Sequence, residues 1–94
     1  MPNEKLIVSV QPFPMPEPQR AQSMRILVEV ANANHIPPAM LVTHLPACKN
    51  RLYTGIRVEI WKRILAEVPG TGVQMLARAF RRDPARIREL LHHG

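Results

Sequence analysis

The last third of the chain constrains its fold most, because it has the pattern of two short helices separated by a tight turn. One helix is predicted over residues 72–80 and a second over residues 84–92. Asp83 followed by Pro84 pairs a favoured N-cap with a favoured first helical position. Ala77, a small residue in the middle of the first helix, lets the second helix cross closely over it. The segment therefore predicts a helix-turn-helix.

Three more helices are predicted upstream, separated by prolines and by a basic loop over residues 49–55. The first ends near residue 34 with Ser23 as its N-cap, the second covers residues 38–43, and the third covers residues 56–68 with Thr54 as its cap. Apolar residues at helical spacing form the predicted core: Ile26, Leu27, Val30, Ala31, Met40, Leu41, Ile56, Ile60, Trp61, Ile64, Leu65, Val68, Val73, Leu76, Phe80, Ile87, Leu90 and Leu91. We therefore predict an all-α fold, with one small helical domain over residues 22–94.

Residues 1–21 are predicted to form an extended N-terminal arm. Prolines at positions 12, 14, 16 and 18 lack amide donors and disfavour helix at the residue before each of them, which is typical of polyproline-like linkers. Residues 6–10 are short and β-prone, so they could pair with a second copy or a protein partner, or stay disordered.

The net charge of +6 lies entirely in the second half of the chain. Residues 1–48 contain three basic and three acidic side chains, whereas residues 49–94 contain ten and four. An excess placed with the helix-turn-helix pattern predicts a surface that binds a polyanion. The alternative is a solvated basic surface without a partner.

Arginines cluster at the predicted turn and in the helix that follows it. In helix-turn-helix proteins the start of the second helix reaches base edges in the major groove, where arginine most often binds guanine. We therefore expect Arg86 to read bases, and Arg81, Arg82 and Arg88 to contact phosphates or bases. Arg81 stands where such turns usually have glycine. A helical hairpin with no role in nucleic-acid binding is the alternative.

From about Met24 to Leu91 the chain resembles the C-terminal DNA-binding domain of the bacterial replication initiator DnaA, which has a Trp-repressor-like helix-turn-helix. The signature of that family reads Ile-Gly-x-x-Phe-Gly-Arg-Asp-His-Thr-Thr-Val. Residues 76–87 of this chain read Leu-Ala-Arg-Ala-Phe-Arg-Arg-Asp-Pro-Ala-Arg-Ile. Phe80, Arg82 and Asp83 match the signature. The resemblance implies the fold and duplex DNA binding.

The departures from the family fall where bases are read. Pro84, Ala85 and Arg86 replace His-Thr-Thr, which removes groups that contact the DnaA box, so the resemblance implies a different target sequence. The family also inserts an arginine from its basic loop into the minor groove. Residues expected at the DNA backbone or that groove are Lys49, Arg51 and Arg57, with Lys62 and Arg63 as outer contacts.

These patterns predict a cytoplasmic, nucleoid-associated protein that binds double-stranded DNA to regulate transcription or replication. A single cysteine agrees with a reducing compartment, and no apolar run approaches the length of a membrane span. We expect no enzymatic activity, cofactor or metal: Pro46 interrupts the spacing of His44 and Cys48, and no phosphate-loop motif is present. The alternative function is a protein-interaction adaptor on the same fold, with its base-reading residues lost.

Overall fold

The computed structural model describes residues 14–43 and 50–93, which are mostly helical and contain no strand. The helices are α1 (Gln19–Ala33), α2 (Pro38–Val42), α3 (Arg51–Glu67), α4 (Val73–Phe80) and α5 (Pro84–His93). Helix α1 packs against α2 and α3, α5 packs against α3 and α4, and α2 contacts α4. The predicted all-α class is confirmed for this part of the chain.

The apolar positions predicted from helical spacing form the core. The indole of Trp61 on α3 meets the ring of Phe80 on α4 edge to face, with centroids 5.8 Å apart and the rings at 87°. Predicted core residues that are fully buried include Ile26, Leu27, Leu41, Ile60, Trp61, Ile64, Leu76, Phe80 and Ile87. Met40, Leu65, Val73, Leu90 and Leu91 are only partly buried at its edge. Burial of one stripe on each helix holds the domain together.

Helix α1 begins before the predicted N-cap, so the prediction for Ser23 is wrong. Ser23 is buried inside the helix, and its hydroxyl has no hydrogen-bond partner. Met15 packs into the core, and the boundary predicted after residue 21 falls inside α1. The end of the predicted arm is therefore part of the helical domain. Residues 6–10 lie outside the described residues.

Helix α3 also begins earlier than predicted, because Asn50 rather than Thr54 caps it. The Asn50 side-chain oxygen accepts a hydrogen bond from the Tyr53 backbone N–H at 2.8 Å. Most of the loop predicted over residues 49–55 is thus the first turn of a helix that includes Gly55. This change places Arg51 at the start of α3.

The turn between α4 and α5 consists of Arg81, Arg82 and Asp83. Arg81 has left-handed backbone angles, φ 54° and ψ 50°, and the backbone N–H groups of Arg81 and Arg82 both donate to the Ala77 carbonyl. An Asp83 carboxylate oxygen accepts from the Ala85 N–H at 3.0 Å, which confirms Asp83 as the cap of α5. The position where glycine was expected does have positive φ, but arginine occupies it.

Candidate nucleic-acid interface

Arg57 lies inside the core, which contradicts its predicted contact with DNA. Its side chain is 1% exposed. The Arg57 Nε donates to the Leu41 carbonyl at 2.7 Å, and Nη2 lies 3.4 Å from the Met40 carbonyl. These carbonyls belong to the last turn of α2, where a helix lacks its own donors. Arg57 therefore holds α2 against α3 and does not reach the surface.

Arg82 is half-buried and also contacts the end of α2. Its Nη2 donates to the Thr43 carbonyl at 2.9 Å, and its Nη1 donates to the Phe80 carbonyl at 3.0 Å and to the Arg81 carbonyl. The side chain thus joins the α4–α5 turn to the residue after α2. Arg82 fixes the position of this turn, and its predicted role as a phosphate or base contact is secondary to that.

A groove runs between α3 and α5 and brings several predicted residues together. Two adjoining recesses form it, and Thr54 and Leu90 line both. Arg51 and Lys62 border one recess, and Arg82 and Arg86 border the other. Arg51, from the start of α3, therefore lies on the same side of the molecule as Arg86 of α5. Lys49, another predicted contact, is outside the described residues.

The exposed side of α5 carries Arg86 and Arg88 on two flanks. Ile87 is buried between them, so the two arginines project on either side of the helix. Nη1 of Arg86 donates to Glu89 Oε1 one turn further along α5. Arg81 is exposed in the preceding turn. We call Arg51, Lys62, Arg81, Arg86 and Arg88 the basic surface.

Of the residues between those flanks, Glu89 and His92 were not predicted to contact DNA. Ala85, Glu89 and His92 are exposed and lie one turn apart, opposite the buried Ile87. They form the outward line of α5, and Glu89 is at its middle. The sequence could have predicted this exposed line from the spacing of Ile87 and Leu91, because the face of a helix opposite its apolar stripe is exposed to solvent.

A second surface, formed by α1 and the adjoining part of α3, is electrically balanced. Arg63 donates to Glu29 at 2.8 Å and to Glu67 at 2.9 Å, and Arg20 donates to Glu17 at 2.7 Å. The hydrogen bonds from Arg63 lower the pKa of Glu67, and Arg25 lowers it further by charge. We call these six side chains the paired surface. Arg63, predicted as an outer contact, is therefore engaged by two carboxylates.

The excess positive charge of the described residues lies outside the paired surface, which adjoins the basic surface where Arg63 lines the same recess as Arg51 and Lys62. That surface has three arginines and three glutamates, so it contributes no net charge. The other described residues include eight basic side chains and three carboxylates, Glu59, Asp83 and Glu89. Asp83 is occupied as the cap of α5. The side of the molecule formed by the α4–α5 turn, α5 and the start of α3 is therefore the part suited to a polyanion.

No protein-family model, curated protein or solved structure matches the chain. Within residues 14–43 and 50–93, no helix is long and apolar enough to span a membrane. The same residues contain no group of three or more histidine, cysteine or acidic side chains placed to hold a metal ion. His44 and Cys48 are outside them.

Proposed function

We propose that this chain binds double-stranded DNA through a helix-turn-helix formed by α4, the turn at Arg81–Asp83, and α5. Helix α5 enters the major groove as the recognition helix. Binding has sequence preference and serves to regulate transcription or replication. The helices predicted for this motif over residues 72–80 and 84–92 correspond closely to α4 and α5.

The observation that carries the proposal is the separation of charge. Arg20 and Arg63 of the paired surface donate to carboxylates, whereas Arg51, Arg81 and Arg88 of the basic surface are exposed on α3, the turn and α5. Arginines clustered in the turn and along α5 match the phosphates that border a groove of DNA.

The dimensions of α5 suit the proposed docking. A helix of ten residues is about 15 Å long, and an α-helix fits the major groove, which is about 12 Å wide. With α5 in that groove, Arg86 and Arg88 project towards opposite sides of the helix. Arg86 is the proposed base reader, and Arg88 and Arg81 are proposed phosphate contacts.

The resemblance to the DnaA domain supports the same docking, with one change among the residues that touch DNA. Arg57 is buried, so it is removed as the proposed minor-groove residue. Arg51 replaces it, because it is exposed at the start of α3 and borders the groove that Arg86 borders from the other side. Pro84 and Ala85 offer no side-chain donors, which favours a target other than the DnaA box.

Selection of bound duplexes from a random library, at near-physiological salt, tests this proposal. We expect an enriched motif that contains guanine at the Arg86 contact and differs from the DnaA box. Recovery of DNA without any motif would remove the sequence preference and leave an architectural binder. Failure to recover DNA above a bead-only control would contradict the proposal.

The second candidate function is a protein-interaction adaptor on the same fold. Leu52, in the first turn of α3, is 67% exposed, and Ala85 on the outward line of α5 has no polar group. An exposed leucine beside Arg51 suits an apolar contact with a protein. An adaptor predicts that Leu52→Ser abolishes capture of a partner while the library selection recovers no DNA.

A further inference from the structure

Glu89 occupies the position on α5 that should face the bases if the proposed docking is right. It lies on the outward line, one turn from Ala85 and from His92, and its side chain is 55% exposed. Arg86 and Arg88 project to its two sides. A carboxylate in the middle of a DNA-facing helix must therefore have a favourable partner or reduce the affinity.

The partner of such a carboxylate is restricted by chemistry. Phosphate oxygens repel it, and the acceptor atoms of guanine in the major groove do the same. Only the exocyclic amino groups of cytosine and adenine donate there. Adenine places its N7 acceptor beside its amino group, which opposes the second carboxylate oxygen. Cytosine presents the amino donor without that acceptor, so it is the better partner.

The ion pair with Arg86 links this choice to a neighbouring guanine. Arg86 Nη1 donates to Glu89 Oε1, and both side chains are more than half exposed, at 58% and 55%. The remaining guanidinium donors of Arg86 can contact the O6 and N7 atoms of guanine. Residues three apart on a helix are separated by about 4.5 Å along the axis, compared with about 3.4 Å between successive bases of a DNA strand, so both side chains can reach neighbouring base pairs.

We propose that Glu89 is a specificity-determining residue that accepts a hydrogen bond from the N4 amino group of cytosine. The cytosine lies within one base-pair step of the guanine that Arg86 contacts, and the ion pair holds both side chains in register. This inference rests on the proposed function. Glu89 also lowers affinity for unrelated DNA, because it repels phosphates wherever no amino group is available.

The test repeats the library selection with the wild type, Glu89→Ala, Glu89→Gln and the control Glu17→Gln. Glu17 is an exposed carboxylate that pairs with Arg20 before α1 and lines neither recess of the groove, so the control removes the same charge at a distance from the proposed contact. We expect Glu89→Ala to reduce the preference for cytosine at one position by about 5- to 150-fold. Glutamine pairs with adenine N6 and N7, so Glu89→Gln should move the preference at that position to adenine. The control should retain the wild-type motif.

Other outcomes separate this inference from the proposed function. If the wild type yields a motif that both Glu89 variants keep at every position, Glu89 does not read a base, although the protein still binds DNA. If both Glu89 variants only bind all duplexes more tightly, Glu89 acts by repulsion alone and the inference is overturned. If the wild type recovers no motif, the sequence preference and this inference are both wrong.

Discussion

At the scale of single residues, burial separates the arginines that contact the end of α2 from the arginines of the basic surface. Arg57 and Arg82 donate to the carbonyls of Leu41 and Thr43 at the end of α2. The arginines of the basic surface project outwards. A guanidinium has five N–H donors in a rigid plane, which suits both the capture of helix-end carbonyls and the contact with phosphates. Burial therefore distinguishes the arginines with a structural role from those that we propose to contact phosphates.

Replacement of Arg57 by methionine should destabilise the domain. Methionine fills much of the same space but leaves the carbonyl of Leu41 without the Arg57 donor inside the core. We expect the free energy of unfolding to fall by about 2–4 kcal/mol. Chemical denaturation followed by circular dichroism measures it. Arg51→Met, at an exposed position of the same helix, should change it by less than about 0.5 kcal/mol; equal losses would contradict the structural role of Arg57.

Replacement of Arg81 by glycine should stabilise the domain. Arg81 has left-handed backbone angles, which cost a residue with a side chain about 1–2 kcal/mol. Glycine avoids this cost but gives the unfolded chain more freedom, so the expected net gain is about 0.5–1 kcal/mol. Thermal unfolding tests this. Arg78→Gly removes the same charge inside α4 and should instead destabilise the domain by about 1 kcal/mol.

At the scale of helices, the sequence predicts the inner faces better than the helix ends. Ile26 and Ile60 are buried as their spacing predicts, because the apolar stripe of a helix is removed from water by packing against the other helices. The starts of α1 and α3 were misplaced for different reasons. Helix α1 begins after Pro18, which forms no side-chain cap that a pattern could reveal, and for α3 the local pattern does not separate Thr54 from Asn50 because both are common caps.

The candidate site was predictable only in part, for a related reason. The exposed arginines of the turn and α5 follow from the spacing of Ile87, which is a local pattern. The burial of Arg57 does not, because its acceptor at Leu41 lies 16 residues away in the sequence. Long-range contacts of this kind depend on how helices pack, and no periodicity within one helix encodes them.

Asn50 and Thr54 are the two candidate N-caps of α3, and the two assignments predict opposite results when each residue is replaced by alanine. Asn50→Ala removes the bond to the Tyr53 N–H and should lower the free energy of unfolding by about 1 kcal/mol. Thr54→Ala lies inside the helix and should have a smaller effect, because alanine has the higher helix propensity. Urea denaturation of both variants compares them. A larger loss for Thr54→Ala would show that α3 begins where the sequence pattern first indicated.

At the scale of the whole molecule, the separation of charge determines how the protein would meet a polyanion. The paired surface, with Arg63 between Glu29 and Glu67, has no net charge, so it neither attracts nor repels phosphates strongly. The basic surface would therefore orient the domain as it approaches DNA. Because these charges are exposed, salt should weaken the attraction steeply.

The salt dependence of duplex binding tests this account most directly. We compare the wild type with a double variant of the basic surface, Arg86→Ala with Arg88→Ala, by fluorescence anisotropy over a series of salt concentrations. The matched control, Arg20→Ala with Arg25→Ala, removes the same charge from the paired surface. We predict weaker binding by the first double variant, with the control close to wild type. The slope of log K against log salt should become shallower by about 0.9 for each phosphate that the first double variant no longer neutralises. Equal effects of the two double variants would contradict a DNA-binding surface on α5.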